Sequence, residues 1–443
     1  MGLTGLEIFK QLPKTNTGDC GFPTCLAFAM ALSAGKTSLD KCPHVSEEAK
    51  EVLGAAAAPP IKLVKVGTGE YAVEMGEETE LFRHDKRFYH PAAIAVLIKD
   101  TEDVAACVAA FNELEFERVG MHYVTDLVAL QCASGDAAKF KAAAETVAAN
   151  TNKPCLLICQ DAAVMAAAAT AVAAKKPLLY AATNENYEEM TALAQKLACP
   201  LAVKGNGLAD LSELVEKITK LGHKELVLDS GNRETAQVVA DLTQIRRLAV
   251  RKRFRPFGYP AMAFTTKEDS LAEITQAGVY LAKYAGLIVL HANKKAELLP
   301  LLSWRQNLFT DPQKPIQVEA KAVAIGDVTP DSPVYITTNF SLTYYIVESE
   351  VEASKVPAYI LPVNTGGVSV LTAWAAGKLT GDSINKALKE NELEVKVNHK
   401  TLVLPGYVAV LSGNTEEVSG WKVLIGPREA SGISKFAKEK FAR

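Results

Sequence analysis

Three cysteines near the start of the chain have the types and spacing to share one metal centre. They are Cys20, Cys25 and Cys42, set in Asn16-Thr17-Gly18-Asp19-Cys20-Gly21-Phe22-Pro23-Thr24-Cys25 and Cys42-Pro43. Gly18, Gly21 and Pro23 bend the chain so that several thiolates can converge, and backbone N–H groups in such a loop can donate to cluster sulfurs. Proline after the last cysteine recurs in iron–sulfur ligand runs. The set is one thiolate short of the four that a cubane cluster takes. Zinc on Cys20, Cys25, Cys42 and His44 is the alternative, although Cys42-Pro43-His44 is a tight spacing for two ligands on one ion. The other five cysteines, Cys107, Cys132, Cys155, Cys159 and Cys199, lie in apolar strand-like or helical contexts and read as buried structural thiols. With no secretion signal in the sequence, they are not expected to form a disulfide framework.

A second set of residues suits ligand binding. Small and hydroxylic side chains gather after two expected strands, in Thr337-Thr338-Asn339-Phe340-Ser341-Leu342-Thr343 and in Asn364-Thr365-Gly366-Gly367-Val368-Ser369-Val370-Leu371-Thr372-Ala373. Ligands of open α/β sheets sit outside the carboxyl ends of strands. Small residues there let the backbone approach a flat macrocycle, and Ser341, Ser369 and Thr372 can hydrogen-bond its amides or a nucleotide tail. The competing reading is ordinary helix capping by Ser341 and Thr365. Nucleotide motifs fail: Gly377-Lys378-Leu379-Thr380 has Thr372 where a phosphate loop needs glycine, and leucine follows Lys378. Gly205-Asn206-Gly207 reads as a turn.

The elements that must position these residues fall into three regions. The chain has 443 residues, enough for two to four domains. Residues 1–58 carry the cysteine motif and end in an Ala/Pro-rich linker, and 59–92 form a connecting stretch with short strands expected at 62–66 and 71–73. Residues 93–315 alternate short apolar runs (93–98, 127–132, 155–159, 177–181, 200–203, 225–228, 261–264 and 287–290) with helical segments. Alternation of this kind implies parallel strands with crossover helices. Eight units fit a (β/α)8 barrel of the TIM type, with a doubly wound open sheet as the alternative. Asp161, Asn184, Lys204, Asp229 and His291 follow its strands and could form an active site at the usual face, or could be loop residues. Residues 316–443 predict a smaller α/β sandwich with strands at 334–338, 358–363, 407–411 and 422–425, and a hinge at 326–332. His399, on a charged stretch, reads as solvated. The fold class is therefore α/β throughout.

Hydrophobic residues are 49% and charged residues 22%, with a net charge of −3. That balance argues against extended disorder and marks neither a nucleic-acid nor a membrane binder. The N-terminus lacks the basic flank and apolar core of a secretion signal, so a cytoplasmic protein is expected.

The N-terminal run Leu3-Thr4-Gly5-Leu6-Glu7-Ile8-Phe9-Lys10-Gln11-Leu12-Pro13, the cysteine loop that follows, and Leu361-Pro362-Val363-Asn364-Thr365-Gly366-Gly367 closely resemble the large subunit of corrinoid iron–sulfur proteins. The resemblance extends over the whole chain. It implies a small N-terminal iron–sulfur domain, a central TIM-type barrel and a C-terminal Rossmann-like domain that binds a cobamide. The family pattern C-x2-C-x4-C-x16-C places its last three ligands on Cys20, Cys25 and Cys42 and its first on Thr17, a poor iron ligand. Three thiolates would leave a three-iron cluster, or a four-iron cluster (4Fe-4S) with another ligand on its unique iron. The cobamide residues the resemblance implies are Asn339, Phe340, Ser341, Thr343, Ile346, Gly366, Gly367, Ser369, Val370, Leu371, Thr372, Ala373, Gly432 and Ile433, within loops that include 428–433. The D-x-H-x-x-G signature is absent, which implies a base-off cobalt without a protein ligand. The implied activity is methyl carriage in the anaerobic acetyl-CoA pathway. A methyltransferase loads the cobalt from methyltetrahydrofolate, acetyl-CoA synthase with CO dehydrogenase receives the methyl group, and the iron–sulfur cluster returns Co(II) to Co(I). A small subunit completes a heterodimer. The competing class is a barrel oxidoreductase with an electron-transfer domain and a nucleotide-binding C-terminal domain.

Overall fold

The computed structural model describes residues 5–33, 37, 39–46, 49, 59–85, 88–118, 120–311 and 314–442. Residues 3 and 4 of the N-terminal motif and 54–58 of the expected linker lie outside these. The chain forms two compact units: Met1–Glu115 with Val124–Phe309, and Phe116–Tyr123 with Thr310–Arg443.

In the first unit, helices Gly5–Gln11 and Cys25–Ser33 contribute to a small apolar cluster of its own, built on Ile8, Leu12, Phe28, Ala29 and Val45. A hairpin follows, β1 (Val64–Val66) antiparallel to β2 (Val73–Met75). Residue 71, expected in a strand, lies instead in a 3-10 turn (Gly69–Tyr71), after Gly67 and Gly69 at φ of 88° and 69°. Left-handed glycines turn the chain there before it can extend.

All eight expected barrel strands are present. They are β3 (Ala93–Lys99), then, after an inserted hairpin β4 (Phe116–Arg118) and β5 (Met121–Tyr123), β6 (Leu127–Gln131), β7 (Cys155–Ile158), β8 (Leu178–Ala182), β9 (Leu201–Lys204), β10 (Leu226–Asp229), β11 (Met262–Phe264) and β12 (Leu287–Leu290). They pair in parallel in the order β10-β9-β8-β7-β6-β3-β12-β11. The bridge Leu228–Ala261, with Leu228 N donating to Pro260 O at 2.8 Å, completes the ring. Alternate residues point inward: Ala93 and Ala95, Leu127 and Ala129, Leu178 and Tyr180, Leu287 and Val289. Their neighbours Ile94, Val128, Leu179 and Ile288 are equally buried. Burial on both faces is why these strands read as unbroken apolar runs. Val64, Val66 and Met75 join the inner cluster, so the β1–β2 hairpin plugs the amino-terminal end of the barrel. The crossover helices are amphipathic. Leu208–Lys220, for example, buries Leu211, Leu214, Val215 and Ile218 at helical spacing.

In the second unit a five-stranded sheet runs β13-β15-β14-β16-β17. β13 (Val323–Ile325) is an antiparallel edge, while β14 (Val334–Thr338), β15 (Ala358–Val363), β16 (Thr401–Leu404) and β17 (Lys422–Ile425) are parallel. Val334 and Ile336 pack on one side against Ile384, Leu388 and Trp421. Tyr335 packs on the other, with Tyr344, Val351 and Ile433. The sheet is thus covered on both faces, as a doubly wound fold requires.

Two sequence expectations are corrected in this unit. Residues 407–411 are not a strand; Gly406–Leu411 is a 3-10 helix, and the strand lies earlier, at Thr401–Leu404. Pro405 ends that strand because it has no N–H for the ladder. The expected hinge at 326–332 joins β13 to β14 of one sheet. Its turn is closed by Ser332 N to Thr329 O and by Thr329 N to Ser332 Oγ, at 3.0 and 2.9 Å. The boundary between the two units falls at residues 309 and 310 instead. The second unit also takes in the β4–β5 hairpin, whose Phe116 and Tyr123 rings stack at 5.1 Å.

Candidate functional site

β14 pairs with β15 on one side and β16 on the other, and the chain reverses its direction of travel across the sheet there. A crevice at such a switch point, outside the carboxyl ends of the strands, is where open α/β sheets bind ligands. A cavity of about 310 Å³ opens there. Tyr335, Ile336 and Thr337 of β14, Val403 and Leu404 of β16, and Pro405 after it form its base. Thr343, Ile346 and Val347 of helix Ser341–Ser354 line one wall, and Ser369, Val370 and Leu371 follow β15. The loops after β16 and β17, with Tyr407 and residues 426–430, close the remaining side together with Ile433.

Glycines let these last two loops touch. Gly406 N donates to Pro427 O at 3.0 Å and Gly426 N to Leu404 O at 2.8 Å. A Cβ on Gly406 would lie 2.7 Å from Gly426 O and 2.8 Å from Arg428 N, inside contact distance of backbone that cannot swing away. At the mouth Tyr407 donates its hydroxyl to Glu429. The Tyr335 and Thr337 hydroxyls are buried and have no hydrogen-bond partner. Burial also pushes the Tyr335 phenol up, so it remains a neutral donor. Neither oxygen is exposed at the cavity surface.

The residues implied by the resemblance separate into two sets. Thr343, Ile346, Ser369, Val370, Leu371 and Ile433 line the cavity. The rest lie around it. Asn339 is buried, and its carbonyl accepts from Thr365 N, Gly367 N and Thr365 Oγ1 at 3.0, 3.0 and 3.2 Å. Its amide donates to Gln317 at 3.0 Å. Asn339 therefore shapes the loop after β15 rather than facing the cavity. Gly366 and Gly367 turn that loop at φ of 72° and 75°, where β-carbon-bearing residues are strained. Ser369 and Thr372 share a hydrogen bond at 3.0 Å, with Thr372 exposed. Ala373 is buried in the core, Phe340 precedes its helix, and Gly432 packs beside Pro427. Capping is overturned for Ser341 and Thr365. Phe340 holds the cap position without a side-chain cap bond, Ser341 N donates to Ile316 O, and the Thr365 hydroxyl faces Asn339 and Val368 O. Tyr335, Val403, Pro405, Tyr407 and Pro427 were not anticipated. The one signal for them is the pairing of Pro405-Gly406 with Gly426-Pro427 after neighbouring strands.

His399 is half-buried and engaged through both ring nitrogens, rather than simply solvated. Its Nε2 lies 3.0 Å from Ser332 O, and its Nδ1 accepts from Thr401 N at 3.2 Å. Both contacts lie at the amino-terminal edge of the sheet, the end opposite the cavity.

In the N-terminal motif, Cys25 and Cys42 are buried in one apolar cluster and Cys20 packs against it. Gly18 and Gly21, both at φ 82°, form a turn closed by Gly21 N to Gly18 O at 2.9 Å. The Asn16 side chain accepts from Cys25 N at 2.8 Å. His44 is held by Asp19 at 2.6 Å, which ties the Cys42 segment to the Cys20 loop and occupies the histidine that a zinc site would use. That bond holds the Asp19 carboxyl below its ordinary value. Thr17 is exposed, its hydroxyl 3.5 Å from Asp19 N. Among the described residues no three His, Cys, Asp or Glu side chains converge as a metal-ligand set.

Four of the five polar residues after the barrel strands are engaged. Asp161 caps its helix through Ala163 N and Val164 N, and Asn184 bonds Asp210 and Lys217. Asp229 accepts from Tyr180 Oη at 2.7 Å and from Arg233, whose guanidinium lies 4.7 Å from the Phe264 ring centre. His291 pairs with buried Glu273 at 2.9 Å. Lys204 is half-buried at the end of β9, in register with Asp229 of β10.

Comparison with known proteins places the chain in a family. Residues 63–437 match the family described as CO dehydrogenase/acetyl-CoA synthase delta subunit. Residues 12–44 match a second, described as "Putative Fe-S cluster". The chain is 57% identical to the corrinoid/iron-sulfur protein large subunit of Moorella thermoacetica, over 100% of both chains. It is 36% identical, over 98% of each, to the acetyl-CoA decarbonylase/synthase complex subunit gamma of Methanothermobacter thermautotrophicus. No helix among the described residues is long and apolar enough to cross a membrane. This chain belongs to the CO dehydrogenase/acetyl-CoA synthase delta subunit family and is a relative of corrinoid/iron-sulfur protein large subunits.

Proposed function

We propose that this chain is the corrinoid-binding large subunit of a methyl carrier in the acetyl-CoA pathway. The observation that carries this reading is the cavity at the β14/β16 switch point, with Thr343, Ile346, Ser369, Val370 and Leu371 in its walls. The names of the relatives supply the ligand class. A bound corrinoid supplies a cobalt that can accept and release a methyl group. A cavity of about 310 Å³ lies at the small end of ligand pockets, so it suits a side arm of the cofactor rather than its macrocycle. Thr343 and Ser369 would hydrogen-bond that arm. Leu371 and Tyr407, both exposed, would present the apolar border for the ring.

No histidine lines the cavity, and His399 is engaged at the other end of β16. Neither places an imidazole of this domain near the metal, and in this reading the cofactor is base-off. Cys20, Cys25 and Cys42 would hold an iron–sulfur cluster, which supplies single electrons when bound. Three thiols in one apolar cluster match that donor chemistry. The partners in this reading are a small subunit, a methyltetrahydrofolate methyltransferase and CO dehydrogenase/acetyl-CoA synthase.

Elemental analysis and visible spectra of the anaerobically purified complex test it. Cobalt and iron are expected together. Cys25→Ala should remove the broad iron–sulfur absorption and leave the corrinoid bands. A preparation with zinc and no cobalt, or with flavin bands, would overturn the reading.

A further inference from the structure

Two thiols outside both candidate sites lie side by side. β6 and β7 are parallel, and their last paired residues are Gln131 and Ile158. The next residue on each strand is a cysteine, Cys132 and Cys159. The ladder continues through them, since Cys132 N donates to Ile158 O at 2.9 Å. Neighbouring strands run about 4.8 Å apart, which falls within the Cα separation that a disulfide spans. The two thiols are close enough to influence each other's ionisation. Both are only partly buried, contrary to the sequence expectation of buried structural thiols, whereas Cys155, four residues before Cys159, is buried.

We propose that Cys132 and Cys159 are a dithiol that closes reversibly to a disulfide across the β6–β7 ladder at the carboxyl-terminal mouth of the barrel. With a small-molecule disulfide as oxidant the step balances. Each cysteine gives up its thiol proton, and the pair gives up two electrons as one S–S bond forms. The oxidant's S–S bond breaks, and its two sulfurs leave as thiols. Burial and the neighbouring carboxylates resist thiolate formation. Asp100 faces Cys132, and Asp161, whose carbonyl lies 3.6 Å from the Cys159 sulfur, faces Cys159. Burial holds Cys159 up to about 11. Closure is therefore slow at neutral pH and accelerates in alkali, because the thiolate is the attacking species. This inference does not depend on the corrinoid reading.

The test uses the full chain with its partner subunit, treated anaerobically with glutathione disulfide and mapped by mass spectrometry without reduction. The expected product is a peptide pair joined through Cys132 and Cys159, two hydrogens lighter than its parts and separated by dithiothreitol. Cys155→Ser should retain it and Cys132→Ser should abolish it. Phenylarsine oxide provides an independent measurement. It should block alkylation of both thiols in the native chain and of neither remaining thiol in the Cys132→Ser and Cys159→Ser variants. Mixed disulfides with glutathione on both residues without the cross-link, or unblocked alkylation after the arsenical, would overturn the proposal.

Discussion

Asn339 carries more of the candidate site than any residue that touches the cavity. Its side chain fixes Thr365 and Gly367, and so the path of the chain toward Ser369. Asn339→Ala removes three buried acceptor contacts and should cost about 2–4 kcal/mol in urea unfolding. It should also weaken corrinoid retention, measured as cobalt per chain. A second residue pair sets a pH dependence. Burial pushes Glu273 up, but hydrogen bonds from His291, Thr265 and two backbone amides outweigh it and leave the carboxyl below its ordinary value. The bond to Glu273 raises His291. The histidine's contribution is complete below the ordinary imidazole pKa and is lost as pH rises through its raised value. The glutamate's contribution is complete above the ordinary carboxylate pKa and is lost as pH falls through its lowered value. The melting point of His291→Ala should therefore fall further below the parent at about pH 5.5 than at about pH 8.5. An equal loss at both would show that the pair does not titrate as the geometry implies.

At the scale of elements, Gly406→Ala should force the loops after β16 and β17 apart. Both atoms in its way are backbone, so the expected result is lower cobalt retention with a stability cost of about 1–3 kcal/mol, read by thermal melting. The barrel was legible in the sequence because burial on both faces writes each strand as an apolar run between helices. β16 was not. Its four residues Thr401-Leu402-Val403-Leu404 are less conspicuous than Tyr407-Val408-Ala409-Val410-Leu411, and the Pro405-Gly406 stop between them decides the matter. The β4–β5 hairpin escaped because strands of three residues show no period. In the candidate site, small and hydroxylic residues such as Ser369 and Thr343 were legible by type. Tyr335 and Val403 were not, since a cavity-facing strand residue and a core residue have the same side chains.

At the scale of the whole molecule, the cysteine motif and the switch-point cavity rest on separate apolar clusters, around Phe28 in one case and around Ile336 and Tyr335 in the other. Chemistry that needs an electron-transfer centre and a methyl-bearing centre can thus be carried by parts with independent cores. The barrel contributes side chains that satisfy one another, as Asp229 with Tyr180 and Arg233 do, which fits a scaffold better than an exposed catalytic face. The central claim is that the second unit's cavity holds part of a corrinoid. Cobalt content of the purified complex with Thr343→Trp tests it most directly, because the larger ring would fill the cavity from helix Ser341–Ser354. The account predicts that this variant loses its cobalt while iron content and far-ultraviolet circular dichroism match the parent. A folded variant that keeps the parent's full complement of cobalt would contradict it.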